Sequence, residues 1–147
     1  MNYVIPVLVG VAYVCLNSFV PEPHRLRFNA VMIAGAGAAY LSSGGVGMWE
    51  LAFTALMTFV AYRALTSYTF VGIGWLLHTC WDVVHHVKGT PILPELAHSS
   101  LGCAICDPVI ALWAFGGGPS VQSVLARVRR SKSAGSIGSS RASTEAR

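Results

Sequence analysis

The stretch Trp75-Leu76-Leu77-His78-Thr79-Cys80-Trp81-Asp82-Val83-Val84-His85-His86-Val87-Lys88 decides how this chain is read. On a helix turning about 100° per residue, Asp82, His85 and His86 all fall within roughly 80° of His78. One face thus carries three imidazoles and a carboxylate, while Leu77, Val83 and Val84 fall on other faces. Polar groups taken out of water are costly unless they meet partners. The stripe therefore predicts a helix over 68–87 whose polar face turns into a bundle.

Five apolar stretches follow when the reading is carried outward: 2–20, 28–43, 46–65, 68–87 and 99–116. Turn chemistry separates them at Pro21-Glu22-Pro23, Ser43-Gly44-Gly45, Thr66-Ser67, the loop from Gly89 through Pro94, and Gly116-Gly117-Gly118-Pro119. A helix crosses the hydrocarbon core with about 17–25 residues. The 147-residue chain is 54% hydrophobic and only 11% charged, against about 25% charged in an ordinary soluble domain. The expectation is an all-α fold: a polytopic membrane helix bundle with five transmembrane helices over residues 1–118, multi-pass in the cell membrane. No internal repeat is visible, which argues against an inverted-repeat transporter.

Residues 1–118 carry four Lys/Arg and five Asp/Glu, and residues 119–147 carry six Lys/Arg and one Glu. Nine of the ten Lys/Arg fall on the side shared by the 21–27 turn, the 66–67 turn and the tail, and Lys88 alone falls on the other. The excess of basic residues on cytoplasmic loops predicts an outside N-terminus and an inside C-terminus. In 119–130, Val121, Val124, Leu125 and Val128 recur at helical spacing with Arg127, Arg129 and Arg130 off the stripe. This reads as a short amphipathic interfacial helix on anionic lipid headgroups. The Ser- and Arg-rich residues 131–147 read as disordered. The expected partners are the lipid bilayer and its headgroups, with no nucleic acid, and a homo-oligomer is left open. Ala30, Ala34, Ala38, Gly35 and Ala39 on the second stretch read as small residues that let helices approach.

A second cluster lies in the fifth stretch, Cys103-Ala104-Ile105-Cys106-Asp107-Pro108. Cys103, Cys106 and Asp107 stand at i, i+3 and i+4 and share a face. Pro108 frees the Ala104 carbonyl, or else Asp107 caps a helix that starts at Pro108. Glu50 in the third stretch and Tyr40 near the end of the second fall at the same level. Imidazole, carboxylate and thiolate are all metal ligands, and the set suits zinc or non-haem iron. His78, Asp82, His85, His86, Cys103 and Cys106 are the candidate ligands. Glu50 and Asp107 are the candidate general bases, since burial raises a carboxylate toward the working pH. This reads best as a metal-dependent membrane enzyme acting on a lipid or small apolar substrate. A small transporter or proton/ion-relay subunit, thiol redox at the CxxC, and a non-catalytic assembly protein remain open. His86 beside Lys88 also reads as a plain interfacial residue. A single site requires the two clusters to face each other, with Cys106 or Asp107 within about 10 Å of His78 or Asp82.

Two resemblances bear on these residues. Asp82-x-x-His85-His86 resembles the HxxHH box of membrane di-iron hydroxylases and desaturases, with Asp in place of the first His. That family needs about eight histidines across several boxes, and this chain has five, so its di-iron site does not carry over. Over residues 1–120 the runs RFNAVMIAGAGAAYLSSG, WELAFTAL, GWLLHTCWDVVHH and GCAICDPVIALW resemble an uncharacterised family of small bacterial integral membrane proteins, a domain of unknown function. That resemblance implies a fold but no activity.

Overall fold

The turn signals at 21–23, 66–67, 89–93 and 116–119 follow helix ends, whereas the second helix stops at Ala38, ahead of the Ser-Gly-Gly signal expected to end it. The computed structural model describes residues 3–42, 45–93, 95–96 and 98–127. It contains α1 (Val4–Phe19), α2 (His24–Ala38), α3 (Met48–Ala64), α4 (Tyr68–Lys88) and α5 (Ser99–Phe115). A short sixth helix, α6, covers 121–127. It lies within the expected 119–130 segment. The expected disordered tail, 131–147, lies outside the described residues.

The element bounds follow local chemistry. α2 begins at His24, four residues before the apolar stretch, because Glu22 Oε2 accepts the Leu26 backbone N–H at 3.3 Å. That satisfies one of the donors a helix start leaves unpaired. α4 stops at Gly89, whose φ of 68° is left-handed, the conformation glycine adopts most readily at a helix end. The chain then turns back, and the Thr90 N–H reaches the His85 carbonyl at 3.0 Å. α5 continues through Pro108, so Asp107 does not cap a new helix there.

The membrane reading is overturned. Among the described residues no helix is long and apolar enough to cross a membrane. Helices α1, α2, α3 and α5 have 16, 15, 17 and 17 residues. The first two are below the range of about 17–25 residues that crosses a hydrocarbon core, and the other two only reach its lower limit, covering less than about 30 Å at about 1.5 Å per residue. α4 is long enough at 21 residues, but its polar stripe keeps it from being apolar enough. The expected five transmembrane helices, their N-outside/C-inside topology and a multi-pass location in the cell membrane are therefore not supported; the all-α architecture stands. Arg63, in the last turn of α3, lies over the Phe70 ring at 4.9 Å.

Helix α4 sits at the centre, packed against α5, α3 and α2, while α1 leans on α5 and α2 pairs with α3. The apolar core joins Ala30, Ile33, Met57, Val71, Trp75 and Ile110. Close approach is set at two glycines. A Cβ on Gly37 would overlap the Met57 side chain, and one on Gly74 would lie 2.8 Å from Ile33. Burial also takes in Asn29, Glu50, His78, Asp82, His85 and Asp107, whereas Leu16, Phe19, Trp49, Phe59 and Leu112 are exposed. The inward direction is thus set by polar stripes and small residues as much as by apolar ones.

Candidate metal centre and its surroundings

The clusters of α4 and α5 face each other. His78 Nδ1 lies 2.8 Å from Asp107 Oδ2 and 3.1 Å from Asp82 Oδ2. A carboxylate only accepts, so Nδ1 carries the proton it donates to Asp107. The Asp82 oxygen is at ion-pair distance, though not aligned for a hydrogen bond. All three residues are buried, and one ligand atom from each falls within 4.8 Å of the others. The group could hold a metal ion. His78 Nε2 is also buried and has no hydrogen-bond partner among the described residues.

A groove of about 470 Å³ opens onto this group between α2, α4 and α5. His78, Asp107 and Cys103 line it together with Trp75, Gly35 and Ala39. A Cβ on Gly35 would meet nothing within 4 Å. Part of the small-residue stripe, expected to close a helix contact, therefore leaves an opening instead. Small ligands bind in concave, mostly apolar sites of about 300–1,000 Å³ with a few convergent polar groups, and this groove matches that description.

Burial and charge act against each other at the group. Burial works to lower His78, but the hydrogen bond with Asp107 and the closeness of both carboxylates, Asp107 and Asp82, prevail and raise it to about 10. Burial raises Asp107 to about 6, with His78 pulling the other way and Asp82 adding to the rise. Burial, and then the nearby carboxylates, pushes the Cys103 thiol up to about 12 and the Cys106 thiol to about 11. Both are therefore neutral thiols near neutral pH, while metal ligation and nucleophilic attack need the thiolate. All four cysteines are free.

The other expected site residues divide among separate places. Glu50 and His85 meet each other, not His78: His85 Nε2 is 3.1 Å from Glu50 Oε1. The second Glu50 oxygen accepts the Trp81 indole N–H at 3.1 Å, and the first also accepts the Val46 N–H at 3.0 Å. His85 Nδ1 faces Thr90, 2.9 Å from its hydroxyl. His86 is half-buried, its ring 6.1 Å from that of His98. Cys106 lines a different groove, between α1 and α5, and neither cysteine joins the metal-capable group.

Tyr40, just past the end of α2, connects the two sets. Its ring stacks on His85 at 3.7 Å with 19° between planes. Its hydroxyl is 2.6 Å from both Asp82 Oδ1 and Ser100 Oγ. Tyr40 has one hydroxyl proton, which goes to the carboxylate, so Ser100 donates to Tyr40. Ser100 in turn accepts the Ile92 N–H at 3.0 Å. Ser100 is missing from the residues expected on sequence grounds, although a signal for it exists. It stands seven residues before Asp107, about 20° away on the same helix face. Thr90 carries no such signal, because only the left-handed turn at Gly89 brings it back onto His85.

No curated protein and no solved structure matches this chain. Over residues 1–120 the sequence matches the model of a family of unknown function, and the chain belongs to that family, DUF6010.

Proposed function

We propose that the protein is a metal-dependent enzyme. His78, Asp82 and Asp107 hold a divalent cation, and the groove between α2, α4 and α5 takes a small apolar substrate. The observation that carries this reading is the meeting of three ligand atoms within 4.8 Å, in three buried residues, at the end of an apolar groove. Charge supports it as well. Two carboxylates and a neutral imidazole with a divalent ion sum to zero, whereas two ionised carboxylates with an imidazolium leave one buried negative charge. Buried uncompensated charge is costly. One nitrogen and two oxygen donors suit zinc or non-haem iron and leave coordination positions open to substrate. In this reading Asp107 is a ligand, not a free base, and Glu50 is outside the reacting group.

The test is metal analysis of the purified protein, repeated on His78→Ala and Asp107→Asn. Stoichiometric zinc or iron that is lost in both variants supports the reading. Absence of bound metal after loading, or equal metal in the variants, removes it and leaves a metal-free acid–base group.

A further inference from the structure

We infer that Tyr40 is the positioning residue of this site and that the buried Glu50–His85 pair serves to hold Tyr40. The inference rests on the reading of His78, Asp82 and Asp107 as a cation site. Asp82 has two oxygens and one well-aligned partner among the described residues. Oδ1 takes the Tyr40 hydroxyl at 2.6 Å, and Oδ2 is left without a hydrogen bond, 3.1 Å from His78 Nδ1. A carboxylate fixed through one oxygen presents the other in a single direction, as a metal ligand must be presented. Partners of this kind behind a ligand typically change cation affinity by about 10–100-fold when removed.

Tyr40 lies two residues past the end of α2. Its ring is fixed by stacking on His85, and its hydroxyl oxygen by the Ser100 hydroxyl. His85 Nδ1 meets the Thr90 hydroxyl, and its Nε2 lies 3.1 Å from Glu50 Oε1, at ion-pair distance without an aligned hydrogen bond. Glu50 is fixed by Trp81 and the Val46 N–H. Every member of this chain is buried or half-buried, and none but Asp82 belongs to the cation group. Glu50 and His85, two titratable residues that the proposed chemistry does not use, thus stop Tyr40 from turning away from Asp82.

Isothermal titration of the metal-depleted full chain with zinc or iron(II) tests this. Tyr40→Phe keeps the ring and its stacking and removes only the hydroxyl. It should weaken binding about 10–100-fold with the helical circular dichroism unchanged. His85→Ala should weaken binding too, and His85→Phe, which restores a flat ring under Tyr40, should recover part of the loss. Wild-type affinity in Tyr40→Phe overturns the inference. A wild-type protein that binds neither ion removes the cation reading instead, and a second measurement then decides. The proton on His78 Nδ1 is read by nuclear magnetic resonance in metal-free protein labelled with 15N-histidine. A shifted or broadened signal in Tyr40→Phe means that Tyr40 positions Asp82 regardless of metal. An unchanged signal overturns the inference.

Discussion

His78 and Asp107 are joined across the α4–α5 interface by a 2.8 Å contact between Nδ1 and Oδ2, although 29 residues separate them in sequence. The contact takes the polar stripe of α4 and closes it against one specific carboxylate of α5. Asp82, one turn along α4 from His78, completes the group from the same helix.

Cation binding should stabilise the fold. A ligand present at about 100 times its dissociation constant adds about 2.7 kcal/mol when it binds only the native state. The thermal midpoint of the metal-depleted chain should rise on adding zinc or iron(II), and Asp82→Asn should abolish the rise. A rise of equal size in Asp82→Asn would place the ion elsewhere.

Stability of the metal-free protein should fall as pH rises above neutral. His78 is raised from 6.5 to about 10, so its contribution is complete below pH 6.5 and is lost as pH passes through about 10. Asp107 is raised from 3.8 to about 6. The native state therefore holds that proton more tightly than the unfolded chain, and stability falls over that lower window as well. One proton limits the slope to about 1.4 kcal/mol per pH unit. Urea midpoints measured between pH 6.5 and 10 should decline, and His78→Gln should flatten the decline. A midpoint that rises with pH over this range would contradict the ion-pair geometry.

Metal affinity should move in the opposite sense. A cation that takes the His78 imidazole must displace its proton, so affinity rises with pH up to the range where His78 loses that proton unaided. Titrations at about pH 6.5 and about pH 8.5 should differ by at least several-fold in favour of the higher pH. Equal affinities would mean that His78 is not a ligand.

Two glycines of α2 should respond with opposite signs. Gly35→Ala places a methyl in open space and should stabilise the helix by about 0.5–1 kcal/mol through propensity. Gly37→Ala drives a methyl into Met57 and should cost about 1–3 kcal/mol, as overpacking does. Chemical denaturation of the two variants checks both. Gly35→Phe should additionally fill the groove, leaving cation binding intact while removing any turnover of an apolar substrate.

Arg25 gives a test at the far end of the bundle. Its guanidinium is buried and donates to Glu22 at 2.7 Å and to the Tyr68 hydroxyl at 2.7 Å. Tyr68→Phe should cost about 1–3 kcal/mol, the usual range when a buried charged group loses a partner, with cation affinity unchanged. A shift in cation affinity would show that the two ends of the bundle are coupled.

The number and order of the five long helices were determined by the sequence alone, because apolar runs and their Gly and Pro breaks act locally. So was the sharing of one face by His78, Asp82 and His85, since angles within a helix follow from residue spacing. Which partner each stripe would meet was open at that level. Glu50 and Asp107 look alike in the sequence as buried carboxylates, yet Asp107 reaches His78 while Glu50 reaches His85. That choice depends on the rotation and offset of one helix against another, set by contacts such as Gly37 on Met57 and Gly74 on Ile33. Membrane crossing is misread from the sequence for a related reason. Composition sums apolar residues over the whole chain, whereas crossing needs both length and apolarity in one helix, and helix length is decided by the ends at His24, Ala38, Met48 and Ala64. The link through Tyr40 belongs to the tertiary structure alone, because it exists only once the end of α2 lies over His85 and beside Asp82.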